Sequence, residues 1–207
     1  MRVTETEREK GHLLKLLLDG GGELLLDLDF CNEKRIGAGS EITPSQIKEY
    51  KAESDYRRAK SRALWLLDRY VYSERRLYEK LIKAGFGREP SAKAVARLKE
   101  LGLIDDASLA LRTAQDLSRR GVSKREAYGK LLAKGIPAPV VKEALENGEF
   151  DEREQIAQLI ERKYARQLAA GETQKVYAAL CRKGFSFSAV RDVLKKHSEE
   201  LEYSEDF

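Results

Sequence analysis

The sequence predicts a mainly all-α protein, built of tandem three-helix repeats and led by a small N-terminal β-hairpin element. Three observations carry this reading. One phrase recurs as Leu81-Ile-Lys-Ala-Gly85-Phe86, Leu131-Leu-Ala-Lys-Gly135-Ile136 and Leu180-Cys-Arg-Lys-Gly184-Phe185, with its glycines 50 and then 49 positions apart. A helix-starting Ser or Thr stands at a matching distance upstream of each copy, at Ser73, Ser123 and Thr173. Amphipathic runs lie before each start and after each stop.

The phrase is a helix stop. A glycine after a helical run takes the left-handed conformation that ends the helix, and the apolar residue after it packs back onto the last turn. One such ending is common, but three at near-constant spacing describe an internal repeat. A longer helix is expected before each start, from about Tyr56 to Tyr70, Ala107 to Arg120 and Glu152 to Ala169. A third helix is expected after each stop, at Ala92 to Leu101, Pro139 to Glu146 and Phe187 to Lys196. Ser123 with Glu126 has the form of a capping box.

The first residues differ in kind. Alternation over Leu14-Lys15-Leu16 and from Leu24 to Leu28, interrupted by Asp19-Gly-Gly-Gly22, reads as a hairpin. Two strands alone are marginal in water, so a strand from Arg2 to Glu7, or docking on the first helix, is expected to complete it. Thr43-Pro44-Ser45-Gln46 supplies a cap, a proline at the first helical position and a capping-box glutamine, so helix begins near Pro44. The expected domains are 1–54 for the β element and the start of a linking helix, 55–104, 105–150 and 151–198 for three repeats, and 199–207 for a frayed acidic tail.

Composition narrows the class. With 42% hydrophobic and 36% charged residues in 207, the chain can bury a core and solvate its exterior. No apolar stretch is long enough to span a membrane, and Met1-Arg2-Val3-Thr4-Glu5 does not begin like a secretion signal. A cytoplasmic location is expected. Cys31 and Cys181 lack metal-ligand spacing, and a structural disulfide is not expected in a reducing compartment.

Charge is unevenly spread. Residues 55–150 hold 21 Lys and Arg against 13 Asp and Glu, whereas 1–54 hold 8 against 11 and 151–207 hold 10 against 11. Within the basic middle, Arg119, Arg120, Lys124, Arg125, Lys130 and Lys134 bracket Gly121 and continue along the next helix. Lys124 and Arg125 stand at a helix N-terminus, where cations oppose the macrodipole. That arrangement suggests a contact patch for phosphates or for an acidic protein surface, with a solvated basic face as the alternative. Lys80 and Lys83 form a second, weaker group.

No catalytic constellation emerges. His12 and His197 are the only histidines and lie far apart in the chain, which argues against a histidine dyad. Asp105-Asp106 reads as a helix cap rather than an acid pair, and Gly20-Gly-Gly22 lacks the Lys-Ser/Thr of a phosphate loop. Most of Trp65 and the tyrosines at 56, 70, 72 and 78 are expected to pack between helices rather than stack on bases. No enzyme activity, cofactor or metal is expected.

The segments Ser61-Arg-Ala-Leu64-Trp-Leu-Leu67, Ser73-Glu74 through Phe86, and Val95-Ala-Arg-Leu98-Lys-Glu-Leu101-Gly-Leu-Ile104-Asp105-Asp106 resemble the RecX family of bacterial recombination regulators. The similarity continues through Arg119-Arg120-Gly121 and the second and third stop phrases to Val190. The chain departs from the family at Pro90-Ser91, where an apolar residue usually starts the third helix of the first repeat, so that helix is expected to begin late and pack less fully. The resemblance implies repeats forming an elongated, curved array in the groove of the RecA recombinase filament. It further implies that the protein blocks filament growth, suppresses ATP hydrolysis and strand exchange, and binds DNA weakly without sequence preference. A monomer is expected. The competing readings are a helical DNA-binding module and an adaptor for another protein; the short third helices offer few Asn, Gln or Arg groups for reading bases.

Overall fold

In the computed structural model, residues 1–205 are described, with side chains described to residue 198; of the tail expected to fray over 199–207, the backbone to Glu205 continues the last helix, and residues 206–207 fall outside the described residues. The chain divides into two compact units, Met1–Ile104 and Asp105–Phe207.

The first unit opens with strands β1 (Val3–Glu9), β2 (Leu13–Leu18) and β3 (Glu23–Asp27), in an antiparallel sheet of order β1-β2-β3. The third strand expected from Arg2 to Glu7 is therefore present. Val3 pairs with Leu18 and Leu14 with Leu26, and the alternate leucines bury one face with Phe30, Cys31, Ile36 and Ile42. A short helix, α1 (Leu28–Lys34), follows where the sequence pattern marks none. Asp27 ends β3 because its carboxylate accepts the Phe30 N–H at 3.0 Å and so caps a helix.

Helix α2 (Pro44–Leu67) starts at the expected capping box, where Thr43 and Gln46 satisfy each other's backbone N–H groups. It is one helix through residues 54 and 55 and serves two cores. Its first half carries Ile47 and Tyr50 to the sheet, and Ser54 Oγ accepts from the Asp27 N–H at 2.7 Å. Its second half places Ala59, Ala63 and Leu66 against α3 (Glu74–Lys83) and α4 (Arg88–Glu100), where Leu77, Leu81, Val95 and Leu98 are buried.

Helix α4 corrects one expectation. It begins at Arg88, ahead of Pro90, because a proline in the first helical turn lacks only an N–H that the helix leaves unpaired there.

The second unit contains two further triads. One is α5 (Asp106–Arg119), α6 (Lys124–Ala133) and α7 (Ala138–Glu146), around Ala110, Ala114, Leu131 and Val141. The other is α8 (Glu152–Leu159) continuing through a π-helical turn, Ile160–Tyr164, into α9 (Ala165–Ala169), followed by α10 (Thr173–Arg182) and α11 (Phe187–Glu205). The π turn has a packing cause. Ile156, Ile160, Tyr164 and Leu168 face the core at strict four-residue spacing, which drifts by about 40° per step around an α-helix. The wider turn holds them on one face.

All three stops are formed as expected. Gly85, Gly135 and Gly184 have φ of 92°, 82° and 94°. The N–H of Phe86, Ile136 and Phe185 returns to the carbonyl of Leu81, Leu131 and Leu180 at 3.2, 3.4 and 3.4 Å, the Schellman pattern. Ser73 and Ser123 cap α3 and α6. Thr173 does not cap α10; it is the first helical residue, after Glu172, and no side chain caps that helix.

The aromatic residues divide. Tyr56, Tyr72 and Tyr78 pack against the first triad's core, whereas Trp65 and Tyr70 are 45% and 63% exposed. Three of the five thus pack as most were expected to, and Trp65 and Tyr70 are the two that do not.

Candidate functional site

The six basic residues singled out in the middle of the chain are all exposed, and they stand on two elements, at the end of α5 and along α6. Arg119 ends α5 and Arg120 caps it, positions where a cation complements the helix dipole. Arg119 also lies 4.0 Å from Asp116. Both arginines have a local structural reason to be where they are. Arg162, placed by the π turn, brings its guanidinium to 3.9 Å from the position a Cβ on Gly121 would occupy. It joins the basic surface beside that turn, and no helical spacing in the sequence marked it.

On α6 the other four residues face different ways. At about 100° per residue Lys130 lies about 240° around the helix from Lys124, which leaves it well away from Arg125, while Lys134 at the C-cap comes about 280° around and so stands nearer to the Lys124 side, one helix length away. Lys130 is engaged by Glu126 at 2.7 Å. Lys124 and Arg125 make no hydrogen bond or ion pair among the described residues. They sit at the first two positions of α6, where the four leading N–H groups already supply positive potential. Two unpaired cations there gain nothing locally.

Lys124 and Arg125 border an open cavity of about 550 Å³, whose rim also carries Lys142 of α7 and whose apolar part includes Leu145, Phe185 and Phe187. Phe187 is 67% exposed at the start of α11. Two carboxylates adjoin the cavity, Glu146 and Glu152. Glu152 is occupied, accepting from the Ser186 hydroxyl at 2.6 Å. The arrangement offers cations and exposed apolar surface side by side, which suits an acidic segment that carries an apolar side chain.

The cavity is held in place from behind. Ser123 Oγ accepts from the Glu126 N–H at 3.2 Å and donates to the Lys183 carbonyl at 2.6 Å. Gly184 packs so closely that an added Cβ would meet Ser123 Oγ at 2.8 Å and Arg125 Cβ at 3.2 Å. The start of the second triad's α6 is thus fastened to the stop of the third triad's α10.

Lys80 and Lys83 lie in the last turn of α3, again where the dipole favours cations. Lys80 Nζ is 6.0 Å from the Tyr72 ring centroid.

Asp105 accepts from the N–H groups of Ala107 and Ser108, both at 3.0 Å, and from the Ser108 hydroxyl at 2.6 Å. These bonds, the Ser108 hydroxyl first, hold its carboxyl below the usual range. It is a helix cap. His12 Nε2 lies 3.0 Å from Asp29 on exposed surface. Among the described residues no cluster of three or more His, Cys, Asp or Glu side chains could hold a metal, and no helix is long and apolar enough to cross a membrane.

Residues 151–194 match a family described as RecX, third three-helix domain. Regulatory protein RecX of Chlorobaculum tepidum is 36% identical over 137 residues, spanning 64% of this chain and 84% of the relative. Regulatory protein RecX of Caldanaerobacter subterraneus subsp. tengcongensis is 28% identical over 190 residues, 91% of this chain and 95% of the relative. Among solved structures, a crystal structure of regulatory protein RecX aligns with a TM-score of 0.69 at 22% identity, covering 93% of this chain and 98% of its own. RecX from Lactobacillus salivarius aligns with a TM-score of 0.63 at 18% identity, covering 70% and 97%. These two structures share the fold.

Proposed function

The chain belongs to the RecX family of regulatory proteins, and on that premise we propose that it binds the RecA nucleoprotein filament and limits filament extension, ATP hydrolysis and strand exchange. Recombination and the SOS response are the processes so restrained, in the cytoplasm, by a monomer that acts through occupancy rather than catalysis. The observation that carries the reading on this chain is the cavity bordered by Lys124, Arg125 and Lys142 beside exposed Phe187. Unpaired cations next to apolar surface suit an acidic protein partner: the charges speed and orient encounter, and the apolar contact lengthens residence. Stacked helical repeats touch mainly their neighbours and leave surface for such a contact.

The test is sedimentation of RecA filaments assembled on single-stranded DNA with the purified protein. The chain is expected to pellet with the filaments in amounts that exceed its retention by the DNA alone. Equal retention with and without RecA overturns the reading.

A further inference from the structure

Trp65 and Tyr70, the two aromatic residues of the first unit that do not pack as most were expected to, share a surface of definite composition. Leu64, Trp65, Tyr70 and Val71 are all exposed, within eight consecutive residues at and after the end of α2. The sequence explains the display. Two residues before Ser123 and Thr173 the chain has Gly121 and Gly171, both with positive φ. Two residues before Ser73 it has Val71, which avoids that conformation. The chain instead passes through Tyr70-Val71-Tyr72 without regular secondary structure, and the first two of these side chains are exposed.

The exposed rings are set among cations. The guanidinium carbons of Arg62 and Arg69 lie 4.1 and 4.0 Å from the Trp65 ring centroid, one from the preceding turn and one from the following. Arg69 is anchored, donating to the Trp65 carbonyl at 3.2 Å and lying 3.8 Å from Asp68, the one carboxylate between residues 62 and 72. Arg62 makes no hydrogen bond or ion pair among the described residues. Tyr70 is held by its N–H to the Leu66 carbonyl at 3.0 Å and by edge contact with the Tyr72 ring, centroids 6.1 Å apart. Lys80 Nζ lies 6.0 Å from the Tyr72 ring centroid.

We propose that Trp65 and Tyr70, with Arg62, Arg69 and Lys80, form a stacking platform for single-stranded nucleic acid. Rigid exposed rings interleaved with cations are what an unpaired strand can use: each base has a face to stack and each phosphate a charge to place. A duplex keeps its bases stacked on one another and would use only the cations. A base reaches the indole by displacing Arg62, the side chain with no other partner, and the released guanidinium meets the adjacent phosphate while Arg69 stays fixed. Protein surfaces also use Trp, Tyr and Arg; Arg62 and Lys80 make no ion pair among the described residues, and charges left open beside the rings favour the polyanion. The platform is independent of any recombinase contact and is tested without one.

Trp65 is the only tryptophan in the chain, so its emission reports on this site alone. Titrating the full-length protein with a thymidine homo-oligonucleotide is expected to quench that emission saturably, with an affinity that falls steeply as salt rises. A duplex of equal length is expected to leave the emission nearly unchanged. Binding of a labelled strand, followed by anisotropy, is expected to weaken roughly 5- to 150-fold in Tyr70→Ala and in Trp65→Ala. Both side chains are exposed, and circular dichroism checks that each variant is folded. Strand binding with unchanged Trp65 emission, equal response to the duplex, unaltered affinity in both variants, or no strand binding at low salt would each overturn the proposal.

Discussion

The hydroxyl of Ser123 joins two triads: it caps α6 and also donates to the Lys183 carbonyl at 2.6 Å, with Gly184 pressed against it. A methyl group at position 184 would stand 2.8 Å from that oxygen and force a left-handed backbone on a side chain. Gly184→Ala is therefore expected to destabilise the protein by about 2 kcal/mol or more. Ser123→Ala should cost about 1–2 kcal/mol through the lost cap and carbonyl contact. In the double variant the collision is relieved, so the combined loss in urea unfolding should be smaller than the sum. Strict additivity would show that the two residues do not bear on each other.

Ser91 should be replaceable with gain. It occupies the sixth position after its stop glycine, where the other repeats have Val141 and Val190, and all three residues are buried. Its hydroxyl has no hydrogen-bond partner. Ser91→Ala removes the unpaired group with little change of volume and should stabilise by about 1 kcal/mol, read as a rise in Tm. A fall in Tm would mean that the hydroxyl is satisfied in solution.

The two cysteines should differ in reactivity. Cys31 is fully buried beneath the sheet, and burial, aided by the nearby Asp27 charge, pushes its thiol up to about 11. Only the thiolate attacks disulfide reagents. Cys181 is partly exposed. Near neutral pH one thiol per native chain should react quickly and the second only on unfolding. Since the folded thiol ionises at higher pH than the unfolded one, this group begins to weaken the fold as pH passes 9.0, and the effect levels off near 11. Rapid reaction of both thiols in the native protein would contradict the burial.

The cations of α6 should not be equivalent in filament inhibition. Lys124→Glu with Arg125→Glu places two carboxylates on the cavity border and is expected to weaken inhibition by about tenfold or more. Lys130→Glu with Lys134→Glu alters residues outside the cavity border and should leave inhibition within about twofold. A small stability loss is expected from that second pair, because the carboxylate introduced at position 130 would face Glu126 one turn away. Equal effects of the two pairs on inhibition would remove the cavity from the account.

The repeat was legible because its punctuation is chemically specific. A Schellman ending selects glycine and an apolar successor, so Gly85, Gly135 and Gly184 marked the stops, as Ser73 and Ser123 marked two of the starts. Helix α1 was hidden because Leu24 to Leu28 continues a strand alternation through the residue, Asp27, that in fact caps a helix. Pro90 suggests a late start because a proline near a helix start marks the boundary only to within a turn. Of the candidate site, the residues of the cavity border on α6 were in view, but Lys142 and Phe187 were not, since Lys142 reaches the border through packing within the second triad and Phe187 through packing between the second and third. The separation of Lys130 from Lys124 was available from helical geometry. Trp65 and Tyr70 looked like core because exposure depends on how the connection after α2 leaves the helix.

The most direct measurement is ATP hydrolysis by the cognate RecA on single-stranded DNA, with this protein substoichiometric to RecA and DNA in excess. Strong inhibition is predicted, since a filament regulator acts on the polymer and the excess DNA rules out simple competition for strands. No inhibition, or inhibition only at concentrations that coat the DNA, would contradict the account.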